Sequence, residues 1–488
     1  MSPIFRIFAT TAALVLALAL AGYGLAASPL LAIGGVLGLA LIGSTVAWPL
    51  VVIGVMLALG PVDVAFLTGG QRSLLPELGG VDMSGIRLIG ISLGLGLVVL
   101  TRRDLLRSLA GPETRWYVLF LAWGAASLAF SPAPLDGLRL LLKLAYPLLV
   151  FVLVAAPERT AEETRRLVDW TLVGAAVILL MNPFVLLNGG YAIERGEFLR
   201  VAGPGSHFNP FSFYLLVVLL LSLARFRSRG QARYLLLATL SLIWMTLALT
   251  RITFLATLVA IGVAAIYAAV VDRSVRALVA MGALGTLVGG LLLVGVLERT
   301  FGYLPTPMQL LSLLANPTAL YAAVNWQGRE VLWAIMRVTF MQSPVFGSGL
   351  GAASDALRVT MGGGVPHNEY LRLAVDVGLV GCALYFLAVL GWIKAVARSA
   401  RRIGGDRVGQ EVILPALALF AGWAIIAITD NAFDYYGPLT QYVALLSAAA
   451  VVRAGALADG QQSPREGFRR GGALSPAATV TSGDGLCR

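Results

Sequence analysis

The sequence predicts an all-α, polytopic integral membrane protein with about 12–14 transmembrane helices. Of its 488 residues, 58% are hydrophobic and 12% are charged, and the mean hydropathy is +0.85. A soluble domain has about 45–50% apolar and about 25% charged residues. With two cysteines in the chain, the composition excludes a disulfide-stapled secreted domain, and it also excludes a disordered chain and a coiled coil.

About 14 stretches are apolar enough for a spanning helix, for which about 17–25 residues are usual. They are residues 7–24, 28–45, 46–67, 86–100, 116–132, 138–156, 168–187, 209–225, 234–250, 252–271, 277–297, 369–393, 412–429 and 437–453. Short stretches such as 86–100 are compatible with tilted or broken helices, so 12 spans remain an alternative.

Positive charges set the predicted orientation. The chain has 36 Lys and Arg against 25 Asp and Glu, a net charge of +11. About two thirds of the cations fall on alternate loops and on the two ends of the chain, as cytoplasmic segments require. We therefore expect both termini in the cytoplasm, and we attribute most of the charge to topology instead of a nucleic-acid partner. Residues 1–28 also fit a signal peptide, but we favour a retained first helix.

The chain divides into five predicted parts. Residues 1–114 hold N-terminal spans, 115–297 the first part of the transmembrane core, 298–368 a large outer loop, and 369–453 the last part of the core. Residues 454–488 are rich in Gly, Ser, Pro and Ala, which predicts a disordered tail. The outer loop is too long to be a simple connection.

The remaining cations fall on the outer side, against the bias that orients membrane proteins. Arg251 is the only charge between Arg233 and Asp272, at the joint of two predicted spans. It is either a snorkelling side chain at a tight turn or a cation that faces an anion at membrane depth. Arg139 and Lys143 share one helix face. They either snorkel or hold an anion or a carboxylate between them.

Two outer segments carry further candidates. Residues 188–208 contain Arg200 and lead through Asn209 into the next helix. In the long loop, Trp326–Phe340 predicts an amphipathic helix, because its apolar residues recur at i, i+3, i+4, i+7 and i+8 from Leu332. Arg329 and Arg337 follow an adjoining stripe of this helix. It lies either at the outer membrane interface or against the protein with solvated arginines.

The loop ends in two glycine-rich motifs. Gly347, Gly349 and Gly351 lack the Lys-Ser/Thr of a phosphate-binding loop, so we reject nucleotide binding.

The second motif is Gly362–Gly364. His367 follows it and precedes the next predicted helix, which Asn368 can cap. A histidine there is either a solvated loop residue or a group that exchanges protons near neutral pH. One turn into that helix, Arg372 and Asp376 are spaced as an i,i+4 pair.

The order of these motifs along the chain, and the membrane side on which they are predicted to lie, resemble the O-antigen ligase and polymerase superfamily of bacterial membrane glycosyltransferases. The resemblance covers about residues 115–450. The matching motifs are Thr250-Arg251, Gly328–Trp333, Gly347-x-Gly349-x-Gly351, His367-Asn368-x-Tyr370-Leu371, Asp376-x-Gly378-Leu379-x-Gly381 and the segment Arg200–Asn209. One departure is Ile252-Thr253 after Arg251, where small residues are more usual.

The resemblance implies transfer of a glycan from undecaprenyl diphosphate to an acceptor hydroxyl at the periplasmic face of the bacterial inner membrane. It implies a metal-independent reaction with no cofactor, in which His367 is the general base and Arg251 and Arg329 bind the diphosphate. The chain has no Asp-x-Asp metal motif, which agrees with this expectation. Further residues are expected to bind substrate: Arg139, Lys143, Arg200, Asn209, Arg337, Asn368, Tyr370 and Arg372.

The acceptor stays open at this point. Polymerisation of O-antigen or exopolysaccharide repeat units is favoured, because the N-terminal spans exceed the usual ligase core; ligation onto the lipid A core is the alternative, and a protein acceptor is a third. The implied partners are the lipid-linked donor, a glycan or lipid A core acceptor, membrane lipids and a chain-length regulator, with no nucleic acid. A transporter of a lipid-linked or anionic solute is an alternative of another class, but it gives no role to His367. A purely structural scaffold leaves Arg251 unexplained.

Overall fold

The structure is a computed structural model. It describes residues 29–62, 83–187, 192–195, 198–201, 203–204, 208–272, 305–324, 326, 328–404 and 406–470, and the single positions 282, 285, 297, 300 and 301. The predicted span 7–24, nearly all of 277–297, and His207 lie outside the described residues.

The described chain is built of helices and one hairpin. The helices are α1 (Pro29–Ala47), α2 (Pro49–Leu59), α3 (Met83–Thr101), α4 (Arg103–Leu109), α5 (Arg115–Ser127), α6 (Pro134–Val154), α7 (Ala161–Leu187), α8 (Phe208–Arg229), α9 (Ala232–Ala248), α10 (Arg251–Asp272), α11 (Pro307–Ala315), α12 (Pro317–Ala323), α13 (Arg329–Gln342), α14 (Ala352–Met361), α15 (Glu369–Ile403), α16 (Arg407–Thr429) and α17 (Gln441–Arg470). Between α7 and α8, β1 (Ala192–Arg195) and β2 (Phe198–Val201) form an antiparallel hairpin in which Ile193 pairs with Arg200.

The predicted all-α polytopic membrane fold is confirmed. Among the described residues, seven helices are long and apolar enough to cross a membrane: α6, α7, α8, α10, α15, α16 and α17. Shorter apolar helices at Arg87–Thr101, Arg115–Phe130 and Ala232–Ala248 correspond to three more predicted spans.

The predicted spans 28–45 and 46–67 are a bent pair. Helices α1 and α2 meet at Trp48 with a bend of 118°, and Pro49 occupies the first turn of α2. The predicted end at residue 67 is wrong, because α2 ends at Leu59. Gly60 has a φ of 50° and Pro61 follows it, and neither continues a helix.

Helix α8 lies at the centre of the bundle. Its side chains from Phe211 to Leu221 are buried, since it packs between α9 and α16. Polar contacts join α8 to α16 at both ends. Asn209 donates to Asp430 at one end, and Arg229 donates to Glu411 at the other, with Nε–Oε1 at 2.8 Å. The two helices are therefore antiparallel, and we name the two ends of the bundle the Asp430 end and the Glu411 end.

The last helix is longer than predicted. The expected disordered tail begins at residue 454, but α17 stays helical to Arg470. Ala454 is buried and Leu457 packs on the core, while Arg453 donates to Asp406 with Nε–Oδ2 at 2.7 Å. These contacts extend the helix beyond the predicted boundary. Residues 471–488 lie outside the described chain.

The amphipathic helix predicted at Trp326–Phe340 is confirmed as α13, which begins after Gly328, a residue with a φ of 79°. Its apolar face joins Leu332, Ile335, Met336 and Phe340 in one cluster with α14 and α15. Of the two interpretations left open, the structure shows a helix docked on the protein.

Helix α15 is broken at Gly378, whose φ of 65° and ψ of −171° are not helical. The turn after α13 lies against this break. Leu379 N–H donates to the Pro344 carbonyl at 2.9 Å, Val380 N–H to the Val345 carbonyl at 3.1 Å, and Trp123 Nε1 to the Val377 carbonyl at 2.9 Å. Backbone groups freed by the break are thus paired within the protein, as a membrane interior requires.

Replacing Gly378 by Ala should destabilise the protein strongly. A Cβ at this position would overlap the backbone of Gly347 and Val345, and the backbone conformation alone costs a non-glycine residue about 1–3 kcal/mol. Thermal or denaturant unfolding of the purified protein measures the loss. The matched control is Gly262→Ala in α10, where a Cβ meets no atom within 4 Å. Equal stability of the two variants would contradict the structural role of the break.

Candidate functional site

Polar side chains from three parts of the chain meet at the Asp430 end of the bundle. They come from the start of α8, from the loop before α15 and from the segment between α16 and α17. This segment, 430–435, provides Asp430, Asn431 and Asp434. Asp430 and Asn431 are buried, with 0% and 3% of their surfaces exposed.

His367 is held against this segment by the Asn431 amide. The backbone N–H of His367 donates to Asn431 Oδ1 at 2.9 Å, and Asn431 Nδ2 lies 3.2 Å from the His367 ring nitrogen Nδ1. The same Nδ1 is 3.9 Å from Asp430 Oδ1. The ring is 28% exposed. These contacts fix the ring beside a carboxylate at the surface of the bundle.

His367 also has an unusual backbone. Within the described residues, two residues other than glycine have a positive φ, Leu249 at 47° and His367 at 51°. Such conformations are uncommon and concentrate at functional sites. Leu249 lies two residues before Arg251, so both unusual conformations flank predicted site residues.

Asp430 accepts hydrogen bonds from its own segment and from α8. It accepts from the Asn431 N–H at 2.8 Å and from the Tyr435 hydroxyl at 3.2 Å, and from Asn209 Nδ2 of α8. Burial raises the pKa of Asp430 to about 6, against the opposing effects of the Asn431 N–H and the Arg329 charge. The Arg329 guanidinium thus lies within electrostatic range of Asp430, beside which His367 is held.

A second carboxylate, Asp434, forms ion pairs with two predicted substrate-binding cations. Lys143 Nζ donates to Asp434 Oδ1 at 2.6 Å, and Arg372 donates to Asp434 Oδ2 at 3.0 Å. Arg372 also lies 3.6 Å from Glu369 Oε1. Burial would raise the pKa of Asp434, but Arg372 and Lys143 lower it more, so it lies well below the usual range. Two carboxylates and two cations form one network beneath His367.

This network corrects the expected pairing of Arg372 with Asp376. Within 4.0 Å, the carboxylates paired with Arg372 are those of Asp434 and Glu369. Asp376 instead accepts from the Ala353 N–H at 2.8 Å and so holds the start of α14. The glycine motif at 347–351 has a similar structural role, since the Ser348 and Gly349 N–H groups donate to the Val375 and Asp376 carbonyls at 2.8 and 2.9 Å.

Arg139 and Lys143 do not share a carboxylate among the described residues. Arg139 lies 3.5 Å from Asp136, which is equally close to Arg358, while Lys143 pairs with Asp434. The two cations bind different carboxylates.

Arg251 begins α10 directly after a turn, as predicted for a joint of two spans. Thr253 Oγ1 lies 2.9 Å from Ser212 Oγ of α8, three residues after Asn209. Arg251 therefore belongs to the Asp430 end of the bundle.

Arg337 and Arg200 complete the predicted cations. Arg337 lies two turns beyond Arg329 on α13 and is exposed, so it is separate from the cluster around Asp430. Arg200 lies in β2, opposite Ile193.

Asn368 and Tyr370 have roles that differ from each other. Asn368 caps α15, with its Oδ1 accepting from the Leu371 N–H at 2.9 Å, which confirms the predicted cap. The Tyr370 hydroxyl donates to the Ala424 carbonyl at 2.9 Å, and its ring stacks on Phe386. Tyr370 therefore faces the apolar side of the site.

Tyr370 begins an apolar groove between α10, α15 and α16. The groove has a volume of about 610 Å³. Its lining includes Tyr370, Phe386, Ile393, Ile266, Phe420 and Ala424. Because Tyr370 stacks on Phe386, the groove runs along α15 from these two rings to Ile393, and along α16 from Ala427 to Leu417.

Sequence reasoning missed Asp430, Asn431 and Asp434. A signal was present, because this pair of acids lies between two strongly apolar spans in the segment Asp430-Asn431-Ala432-Phe433-Asp434. Acidic residues beside a membrane span are rare enough to suggest a functional or pairing role. Their partners, however, are distant in the chain, so no local pattern identifies them.

Among the residues that the structure describes, no group of three or more His, Cys, Asp or Glu is placed to hold a metal ion. No model of a known protein family matches the chain, and a search of curated proteins gives no significant match. The chemistry of the site is therefore interpreted from the arrangement of its own residues.

Asp430 should make stability fall with rising pH. Its pKa is about 6 in the folded protein against 3.8 as the ordinary value, so the folded state holds this proton more tightly. The resulting contribution to the free energy of unfolding is present below about pH 4 and is lost as the pH rises through about 6. The free energy of unfolding changes by up to about 3 kcal/mol over this range. Relative to wild type, Asp430→Asn should gain this amount between about pH 4 and 7 in denaturant unfolding.

The matched control is Asp434→Asn. Because the pKa of Asp434 is lowered, its stability difference from wild type should stay flat over the same range. If the stability difference between Asp430→Asn and wild type also stayed constant with pH, the claim that burial raises the pKa of Asp430 would be wrong.

The contact between Lys143 and Asp434 should show energetic coupling. In a double-mutant cycle with Lys143→Met and Asp434→Asn, we expect a coupling of about 1–3 kcal/mol in the free energy of unfolding, because neither partner is fully exposed. The control is the more exposed pair Arg398 and Glu113, for which we expect a coupling energy of about 0.2–1 kcal/mol. Additive effects at Lys143 and Asp434 would contradict the network.

Proposed function

We propose that the protein is a glycosyltransferase that moves a glycan from a polyprenyl diphosphate, undecaprenyl diphosphate in bacteria, to an acceptor hydroxyl. The observation that carries the proposal is the position of His367. It is held by Asn431 beside the Asp430 carboxylate, with Arg329 acting on the same carboxylate. A proton acceptor, a carboxylate and a guanidinium thus occupy one site at the end of a helix bundle.

His367 is the general base in this proposal. The acceptor hydroxyl loses its proton as it attacks the anomeric carbon, while the bond from that carbon to the diphosphate oxygen breaks. The His367 ring takes the proton, and the Asp430 carboxylate, 3.9 Å from Nδ1, stabilises the charged ring. A positioned base typically contributes about 10²–10⁴-fold to the rate.

Arg329 and Arg251 bind the diphosphate in this proposal. A guanidinium stays charged and binds phosphate oxygens with two parallel hydrogen bonds. One such contact at about 4 Å is worth roughly 4 kcal/mol at an effective dielectric constant near 20, before desolvation. Lys143 and Arg372 have a different role, since both form ion pairs with Asp434. They position the segment that carries Asp430 and Asn431.

The apolar groove beside Tyr370 supports a lipid-linked donor. It begins three residues from His367 and is lined by apolar and aromatic side chains. An isoprenoid chain in this groove would have its diphosphate at the Asp430 end, within the reach of the cationic site. A water-soluble sugar nucleotide would make no use of such a groove.

We further propose that the Asp430 end is the periplasmic face of a bacterial inner membrane. The Glu411 end supports this orientation, because Arg102, Arg159, Arg225, Arg229 and Arg453 belong to that end of the helices. Cationic residues are concentrated on the cytoplasmic side of membrane proteins. The acceptor that we propose is a second lipid-linked repeat unit, which makes the reaction a polymerisation; helices α1–α3 beyond the usual ligase core support this choice over transfer to a lipid A core.

Substitutions in the site should abolish transfer. With lipid-linked glycan in proteoliposomes, His367→Ala should lower the rate of polyprenyl diphosphate release about 10²–10⁴-fold, and Arg329→Ala should lower it about 10²-fold or more. The exposed Arg337→Ala is the matched control and should retain activity. Wild-type protein should act without added metal. Movement of intact lipid-linked glycan across the bilayer with no new glycosidic bond would overturn the proposal in favour of a transporter.

A further inference from the structure

An uncharged segment precedes α13 in the loop that leads to His367. From Thr300 to Gly328 the sequence contains no Asp, Glu, Lys or Arg, whereas about one residue in four is charged in soluble proteins. The structure describes most of it as the two short helices α11 and α12, capped by Thr306 and Asn316. We name residues 305–326 the outer arm.

The outer arm exposes its large apolar side chains. Met308, Leu311 and Leu314 are 77%, 63% and 59% exposed, and neither helix contains a buried residue. At 100° per residue Leu311 and Leu314 share one face of α11, and Met308 lies at the edge of that face. Ser312 is about 160° from Leu314 around the helix, and Gln309 is about 160° from Leu311. The described protein therefore leaves this apolar face uncovered.

Aromatic residues join the outer arm to α13. Trp326 Nε1 donates to the Tyr321 carbonyl at 2.9 Å, and the Trp326 ring lies 5.1 Å from Tyr321 and 5.5 Å from Trp333. Trp333 belongs to α13, one turn after Arg329. Tyr and Trp prefer the boundary between headgroups and acyl chains.

We propose that the outer arm lies in the membrane surface at the Asp430 end, with Met308, Leu311 and Leu314 among the lipid acyl chains. Helix α13 packs against the start of α15 through Leu332, Met336 and Val375. Because Glu369 accepts from the Phe433 N–H, the start of α15 lies at the Asp430 end, and the arm is joined to the protein there. Because the arm carries no charge, phospholipid is a better partner than a charged protein surface. Binding of this kind depends on apolar burial.

The proposal is independent of the glycosyltransferase assignment. It predicts insertion in any phospholipid bilayer, with no requirement for anionic lipid or low salt, since the arm has no cation to attract phosphate. Membrane insertion would also hold Trp333 and the neighbouring Arg329 close to the headgroups.

Site-specific fluorescence tests this inference. In full-length protein with Cys382 and Cys487 replaced, a single cysteine is introduced at Leu314 or at Ser312, which project from opposite faces of α11, and is labelled with an environment-sensitive fluorophore. The protein is reconstituted into phosphatidylcholine vesicles with or without doxyl-labelled lipid. We expect the Leu314→Cys probe to be blue-shifted and quenched by the doxyl lipid, and the Ser312→Cys probe to be quenched much less. Phosphatidylglycerol and salt should leave both signals unchanged.

Three outcomes would overturn the inference. Two probes that are equally unquenched would place the outer arm in water. A Leu314→Cys probe that is blue-shifted but unquenched would show that protein covers the face, either a second copy or another part of the chain. Quenching that requires anionic lipid would replace apolar insertion with electrostatic attraction.

Discussion

The buried carboxylate of Asp430 is the constraint on which the rest of the site depends. It lies between the start of α8 and the end of α16 and accepts from Asn209, Asn431 and Tyr435. A buried acid is costly without such partners. Satisfying it brings together segments more than 200 residues apart in the chain, and the same segment then fixes His367 through Asn431. The position of His367 and the proposed chemistry therefore depend on one group.

The break in α15 has a complementary role. Gly378 allows the turn after α13 to lie against the interrupted helix, where backbone groups pair across the two segments. This turn anchors α13, and α13 carries Arg329. In a straight α15 these backbone groups would bond within the helix, and the turn after α13 would lose its partners. Arg329 would then no longer be held in its position relative to Asp430. Asp434 forms ion pairs with both Lys143 and Arg372, so the cations proposed for diphosphate binding are Arg329 and Arg251.

Much of the fold follows from the sequence, because apolar length identifies spanning helices. The α13 helix, the Asn368 cap and the α10 start at Arg251 were predictable from local patterns. The ion pairs were not predictable from local patterns. Arg372 pairs with Asp434 and not with Asp376, and Arg139 and Lys143 pair with different carboxylates. Asp434 lies far from Lys143 and Arg372 in the chain. The end of α2 at Gly60 and the continuation of α17 past residue 453 depend on backbone conformation and packing that composition alone does not specify. Asp430 and Asn431 were missed for the same reason.

Chemical rescue tests the central claim, that His367 accepts the proton of the acceptor hydroxyl at a site organised by Asp430. The measurement is the rate of glycosidic bond formation by His367→Ala in proteoliposomes as imidazole is added, with Arg329→Ala as the comparison. The account predicts that imidazole restores transfer to His367→Ala, increasingly as the pH rises and the neutral base accumulates, and leaves Arg329→Ala inactive. No rescue in a folded His367→Ala protein, or equal rescue of both variants, would contradict it.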